Sequence, residues 1–274
     1  MAQGPFVATL SSRALIALGG ADWRGFLQGL ITQDVDSLLP GEVRFGALLT
    51  PQGRLLFDLF VVGASEGCLI DCEAARREAL TQRLILYRLR AKVDIALREG
   101  PVEALWGDIA PPTGWSCDPR LPALGYRGYG AAAPAGARRV DERLYQAHRL
   151  ELGSPGPDDW GYDRTYPIEA NFDLLAGIDF KKGCFVGQET TSRMKRRGAV
   201  KTRMVPIAFK GPAPAVGSEL LAGALRAGEV LSGGDALAMA AVRLDRLAAG
   251  PLTLADGRPW RAVMPDWMQG RLKV

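Results

Sequence analysis

The chain has 274 residues, 47% of them hydrophobic, and a net charge of +4. That length and composition support a well-buried core in one large domain or two to three smaller ones, and they exclude a disordered or fibrous chain. The 33 glycines and 18 prolines favour a strand-rich or mixed fold over a helical bundle, and no apolar run reaches the ~18 residues of a membrane-spanning helix.

Taken in chain order, alternation in FVATL and RALIAL predicts a strand pair. This segment has no basic leader and is broken by Pro5, Ser11, Ser12 and Arg13, so a signal peptide is not expected and a cytoplasmic location is. DWRGFLQGLIT predicts a short helix, with Asp22 as N-cap and Trp23, Phe26, Leu27 and Leu30 on one face. VRFGALLTPQGRLLFDLFVVGA predicts a hairpin: two apolar strands flank Thr50-Pro51-Gln52-Gly53, where proline presets φ and glycine supplies the positive-φ position. CLIDC predicts a further strand.

EAARREALTQRLILYRLRAKV predicts an amphipathic helix with Leu80, Leu84, Tyr87 and Ala91 in one stripe. KVDIALRE and VEALWGD predict strands. Residues 107–139 are rich in Gly, Pro and Ala, and predict loop with a short strand near Gly125–Tyr129. ERLYQAHRLELG predicts a helix ended by Gly153. From Met204 onward, short strands separated by glycine and proline turns predict a small β-barrel or sandwich. The expected class is α+β, with an α+β region over residues 1–203 and a β domain over 204–274.

The four cysteines are Cys68, Cys72, Cys117 and Cys184, and the single histidine is His148. No C-x-x-C pair occurs. Cys68 and Cys72 point to one face of a strand but about 13 Å apart, too far to chelate one ion. No resident zinc or iron–sulfur site is expected, and in a reducing compartment all four are thiols.

The charge is uneven. Residues 181–203 carry Lys181, Lys182, Arg193, Lys195, Arg196, Arg197, Lys201 and Arg203 against Glu189 alone, a net +7 that leaves −3 for the rest. This basic patch contains Cys184. A solvated face is one reading of it; attraction of an anionic ligand or partner is the other, and the cysteine favours the second. Aromatic side chains are not interleaved with the charges as a nucleic-acid platform requires.

Gly183 and Gly187 bracket Cys184-Phe185-Val186, and Gln188–Met194 reads as helical. Cys184 then lies just ahead of a helix N-terminus, where free N–H groups, the dipole, Lys181, Lys182 and Arg193 would favour a thiolate. A buried cysteine acting as a small hydrophobe is the alternative. A Cys–His dyad with His148 is not favoured, and no P-loop or dinucleotide fingerprint is present.

KGCFVGQE, Lys182–Glu189, followed by Arg193, resembles the signature of the YgfZ-type folate-binding proteins of iron–sulfur cluster assembly, relatives of the glycine-cleavage T-protein, an aminomethyltransferase. FLQGLITQDV, LLTPQGRLLFDLFV, YRLRAKVDI, RLELGSP and PIEANFDLL are similar to family blocks in the same order. The resemblance implies a three-part ring with a central channel: two interleaved α+β subdomains and a C-terminal β-barrel. It implies a bound tetrahydrofolate or one-carbon-substituted folate. The implied role is assembly or maintenance of [4Fe–4S] proteins, in transient contact with iron–sulfur assembly proteins and client enzymes.

On this resemblance the reactive set is Cys184, Lys182, Gln188, Glu189 and Arg193, with Glu189 alternatively capping its helix or pairing with Arg193. The folate set is Tyr145 as stacker, Arg149 for the carboxylate tail, Glu151 and Glu169 for pterin N–H groups, and Asn171, which also suits a turn near the cysteine loop. Tyr145 as core and Arg149 and Glu151 as surface charges are the alternatives. The helix after CLIDC carries Glu73 and Glu78 where T-proteins have an aspartate, which counts against aminomethyl transfer because about 1 Å of misplacement costs a hundredfold in rate. Arg13 stands where some bacterial relatives have an aromatic. A one-carbon transferase and a non-catalytic folate-binding scaffold are the competing functions.

Overall fold

The structure is a computed structural model; it describes residues 4–198 and 200–271. In chain order its elements are β1 Phe6–Thr9, β2 Arg13–Gly19, α1 Trp23–Gln28, β3 Val43–Leu49, β4 Leu55–Ala64, β5 Gly67–Glu73, α2 Arg77–Arg88, β6 Asp94–Arg98, β7 Val102–Trp106, β8 Trp115–Cys117, β9 Tyr126–Tyr129, β10 Arg138–Arg139, α3 Glu142–Glu151, α4 Pro157–Trp160 and α5 Gln188–Arg197. Six strands follow: β11 Thr202–Phe209, β12 Glu219–Ala222, β13 Leu225–Gly233, β14 Leu237–Arg243, β15 Leu252–Leu254 and β16 Trp260–Ala262.

They form three sheets, ordered β3-β4-β5-β2-β6, β10-β1-β7-β9-β8 and β15-β12-β13-β14-β11-β16. β1 and β2 do not pair as their alternation predicts. β1 lies antiparallel to β7 in the second sheet, and β2 lies between β5 and β6 in the first. The two-residue turn at Ser11-Ser12 passes the chain from one sheet to the other. Alternation sets which face a residue occupies and carries no information on which strand is its neighbour. A parallel pairing of β1 with β10 closes one edge of the second sheet.

The predicted hairpin stands, with β3 and β4 pairing through Val43↔Val62 to Leu49↔Leu55. β4 is buried on both faces, which explains its near-continuous apolar run. Leu59 and Val61 face α1 and α2, together with Ile16, Leu27 and Leu84. Phe60 faces the other way, into a second core with Phe45, Phe172 and Phe185 that reaches Met204 and Met239 of the third sheet. That third sheet encloses Val205, Ile207, Leu220, Val230 and Trp260, and a bridge from Thr253 to Pro259 draws its two edge strands together into a nearly closed barrel.

Asp22 does not cap α1 with its side chain. Its carboxylate accepts from the Lys92 amide at 2.7 Å instead, tying α1 to the start of β6. Asp141 does cap α3, accepting from the Arg143 amide at 2.8 Å, and Gly153 ends that helix region at φ +70°. No helix among the described residues is long and apolar enough to cross a membrane.

Candidate functional site

Two separate places carry the chemistry. The first is a cleft between the first and second sheets, closed on one side by α3 and α4, with about 580 Å³ of empty space including its mouth. Arg13, Asp58, Glu73, Tyr145, Gln146 and Arg149 line it.

Its floor is a buried ionic network that sequence reasoning did not find. Arg13 on β2 donates through Nη1 to Asp58 at 2.9 Å and through Nε to Asp71 at 2.7 Å. Arg127 on β9 donates to the other oxygen of Asp71, and through Nε to the Tyr129 hydroxyl at 3.1 Å. Arg120 holds Asp118 with two bonds of 2.9 and 2.7 Å and donates to the Tyr145 hydroxyl at 3.1 Å. The three guanidiniums surround the Phe60 ring, with Arg127 Cζ 3.7 Å from its centroid, Arg120 4.9 Å and Arg13 5.3 Å.

Burial opposes ionisation of Asp71, but Arg127 and Arg13 beside it bring its carboxyl below the usual range. Burial likewise opposes ionisation of Asp118, and Arg120 holds it low. The network therefore stays ionised and couples the two sheets, since Asp71 of β5 is shared between β2 and β9. The signal for it was a charge inside an apolar run: Asp58 in LLFDLFVV, Asp71 in CLIDC, Arg127 in GYRGY. Glu73 differs: burial, with Asp58 adding to it, pushes its carboxyl up.

Of the expected folate residues, the cleft brings together Tyr145 and Arg149. Tyr145 is a core residue, packed at 5.4 Å between ring centroids against Trp106, so its face is already taken. Arg149 is buried, not a surface charge; it pairs with Asp159 at 2.9 Å and donates from Nε to Gln146 at 2.9 Å. Glu151 is exposed at the end of α3 and does not line the cleft. Glu169 lines a neighbouring cleft against the barrel, where burial pushes its carboxyl up although the Tyr166 amide donates to it. Asn171 is fully buried at φ +64° and donates to the Met204 carbonyl at 2.7 Å. It fixes the turn that docks on β11 and does not reach the cleft.

The second place is the cysteine loop. None of residues 180–198 lines the cleft. The loop instead packs on the β3–β4 turn. Gly187, at φ +81°, sits so close to that turn that a Cβ would lie 2.6 Å from the Thr50 carbonyl oxygen. Phe185 is buried in the second core, while Cys184 is exposed and a free thiol.

Lys182 departs from its expected role beside the thiol. Its ammonium donates to the carbonyls of Gln28 at 2.7 Å, Ile31 at 2.6 Å and Gln33 at 2.8 Å. Burial lowers its pKa to about 8, against the opposing pull of Asp34, Asp36 and Asp179. Gln188 approaches the Gly183 carbonyl at 3.5 Å. Glu189 and Arg193 are exposed on α5, and among the described residues they form no ion pair with each other. Lys195 lies 4.9 Å from the Phe180 ring centroid.

Cys68 and Cys72 are buried, and burial pushes both thiols up to about 12. His148 stacks on Trp106 at 5.7 Å and bonds the Ala123 carbonyl, so it serves α3 packing and not the thiol. No group of three or more metal-ligating side chains occurs among the described residues.

This architecture defines an α+β protein on the fold of the glycine-cleavage aminomethyltransferases, with a C-terminal β-barrel. The aminomethyltransferase T of the glycine cleavage system from Bartonella henselae superposes with a TM-score of 0.76 over 96% of this chain and 86% of that one, at 18% identity. Residues 201–270 match the family model of the CAF17 C-terminal beta-barrel domain.

In sequence, the homologues are mitochondrial iron–sulfur cluster assembly factors of the IBA57 type. The Mycosarcoma maydis homolog is 34% identical over 74% of this chain and 57% of its own length; that of Coccidioides immitis is 36% identical over 72% and 55%. The chain thus spans a little over half the length of these fungal relatives. The Homo sapiens protein is 29% identical over 94% of this chain and 84% of its own. The cytoplasmic location expected from the sequence is overturned by these relatives, which are named as mitochondrial proteins. The expectation had rested on the lack of a basic leader, and composition near one end is a weak guide to compartment.

Proposed function

We propose that this chain is an IBA57-type assembly factor that helps build or maintain [4Fe–4S] proteins, with Cys184 as its working thiol and a reduced folate held in the cleft between the sheets. The observation that carries the first part is the contrast within the cysteine loop. Cys184 is exposed, yet the residues around it are clamped by the Lys182 ammonium, the buried Phe185 ring and the Gly187–Thr50 contact. A thiol held on a fixed loop amid the exposed cations of α5 suits presentation to a partner. One thiolate supplies at most one of the four cysteine ligands of such a cluster, so the partner supplies the others.

The cleft residues fit a folate. The Glu73 carboxyl and the Gln146 amide offer acceptors and donors for a pterin edge. Arg139 and Arg143 line an adjoining recess that shares Ser12 and Gln146 with the cleft, and both suit a carboxylate tail. A reduced folate, when bound, supplies a carrier for one-carbon units. The chain's own part is to bind and orient it: the ionic network fixes the floor, and Arg149 holds Gln146 in place.

Complementation tests the proposal. A host lacking the protein receives wild type, Cys184→Ala or Gln146→Ala, and the activity of a [4Fe–4S] dehydratase is measured. The expected result is rescue by wild type, failure by Cys184→Ala and partial loss with Gln146→Ala. Full rescue by Cys184→Ala would remove the thiol from the mechanism, and unchanged dehydratase activity in the host without the protein would remove the assembly role.

A further inference from the structure

α2 has two apolar stripes. The inner one, Leu80 and Leu84 with Tyr87 beside them, packs on the first sheet. The outer one is Ile85, Leu86 and, in the turn that follows the helix, Leu89, which are 39%, 70% and 87% exposed. Leu86 lies two residues beyond Leu84, about 200° round the helix and so on its opposite side. A surface helix with one buried face turns polar side chains outward. A lone exposed leucine needs no explanation, but three large apolar residues within five positions make a patch.

Leu89 is the clearest member. Its backbone stands at φ +45° and ψ −107°, a conformation that glycine reaches freely and a leucine rarely adopts. The leucine strains this turn and adds nothing to the core, so neither backbone nor packing accounts for an apolar side chain here.

Charge frames the patch. Residues 79–93 hold Arg83, Arg88, Arg90 and Lys92 and no acid. Arg88 donates to the Val93 carbonyl at 3.4 Å, and while Arg77 at the start of the helix pairs with Glu99, none of these four has a carboxylate partner among the described residues. Asp22, which accepts from the Lys92 amide, offsets part of this charge. Helical spacing puts Arg83 on one side of Ile85 and Leu86 and Arg88 on the other, and Arg88 and Arg90 flank Leu89 in sequence. Long basic side chains on both edges of an apolar stripe can lay their stems along an apolar phase and hold their charges at its boundary.

The chemistry of the patch selects its occupant. Its leucines line none of the clefts described above, so no groove waits there for a partner's side chains. No aromatic side chain is exposed among residues 83–92, whereas protein interfaces favour aromatic anchors and are poor in lysine. Projecting leucines edged by unpaired arginine and lysine are the pattern of a helix that lies on an anionic bilayer. α5 carries more cations, but its exposed residues are all polar or charged, so it attracts anions and has nothing to insert.

We propose that the C-terminal end of α2 and the turn after it dock on the surface of an anionic phospholipid membrane. Ile85, Leu86 and Leu89 enter the boundary between headgroups and acyl chains, and Arg83, Arg88, Arg90 and Lys92 meet the lipid phosphates. The surface is separate from the cysteine loop and the folate cleft, and it depends on neither reading of them.

The test is co-sedimentation of the full chain with vesicles of phosphatidylcholine and phosphatidylglycerol in equal parts, against vesicles of phosphatidylcholine alone, with hydrogen exchange followed in the bound state. The expected result is binding to the anionic vesicles only, weakened by salt, with slower exchange at residues 83–92. Affinity should fall about tenfold or more in Leu86→Ser/Leu89→Ser and likewise in Arg90→Gln/Lys92→Gln. All four positions are exposed, so both variants should melt no lower than wild type. The leucine variant separates insertion from charge attraction, since it leaves every cation in place. The proposal is overturned if the anionic vesicles do not bind the chain, which would assign the patch to a protein partner. It is also overturned if neutral vesicles bind as well, or if Leu86→Ser/Leu89→Ser binds as tightly as wild type. Protection confined to Gln188–Arg197 would overturn it too, because the cations of α5 would then account for the attraction.

Discussion

Lys182 and Cys184 stand two residues apart in one motif and serve opposite ends of it: the lysine ammonium is buried on three carbonyls of the α1 region, and the cysteine thiol is exposed. The basic residue of the motif is thus an anchor. Replacing it by a residue of similar length, Lys182→Met, leaves the carbonyls of Gln28, Ile31 and Gln33 without their donor. A loss of about 2–4 kcal/mol in folding free energy is expected, read by urea unfolding. The variant also separates the roles: if Lys182 served only the thiol, stability would not change. The pH dependence follows from its pKa, lowered by burial to about 8 from 10.5. The unfolded chain holds this proton more tightly than the folded one, so the lysine's contribution is constant below about pH 8 and grows more favourable from there toward 10.5. The stability gap between wild type and Lys182→Met therefore widens across that window.

The second glycine of the motif has a steric reason. Gly187 is at φ +81°, and a Cβ there would meet the Thr50 carbonyl oxygen at 2.6 Å and Gly53 Cα at 2.9 Å. Gly187→Ala is expected to cost about 1–3 kcal/mol through backbone strain alone, with more from the displaced turn. Gly183, whose Cβ would meet nothing within 4 Å, should tolerate alanine. Parallel thermal melts of the two variants check the contrast. Equal melting temperatures would show that the loop does not depend on the hairpin turn.

How much of this was legible in the sequence follows the range of the interactions. The β3–β4 hairpin was, because Thr50–Gly53 carries its turn chemistry locally. So were α2, from the spacing of Leu80 and Leu84, and α3, from ERLYQAHRLELG with its Gly153 stop. The β1–β2 pairing was misread because both strands alternate correctly while their partners, β7 and β5, lie far along the chain. Lys182 could not be read at all: its nearest acceptor in sequence is 149 residues away. In the site, the sequence gives no sign that Arg149 is buried, because its partners Gln146 and Asp159 come from α3 and α4. The Arg13–Asp71–Arg127 network was visible only as isolated charges in apolar runs, and their meeting needs three strands from two sheets.

That network yields a further expectation. Asp71 is shared by Arg13 and Arg127 and is fully buried. Asp71→Asn leaves two guanidiniums short of a counter-charge and should cost about 3–5 kcal/mol. Because the folded-state carboxyl lies below its unfolded value, its contribution is fully present above about pH 4 and is lost as pH falls through the folded value. Wild type should therefore lose stability steeply in acid, and Asp71→Asn, already without that contribution, less so. Equal acid slopes in the two proteins would show that the pair does not stabilise the fold.

Glu73 is the cleft carboxyl with the opposite behaviour, pushed up by burial and by Asp58. A raised value means that the folded state holds the proton more tightly, so its contribution is present at low pH and is lost as pH rises through the folded value. Glu73→Gln removes a half-buried charge beside Asp58, and near neutral pH the variant should be at least as stable as wild type. On the proposed function, folate binding should weaken about tenfold in this variant, because an amide presents one acceptor and an NH₂ where the carboxylate presents two acceptors. Titration with tetrahydrofolate, followed by quenching of intrinsic tryptophan fluorescence, measures this directly. Wild-type affinity in a stable Glu73→Gln protein would move the pterin edge away from Glu73 and toward Gln146.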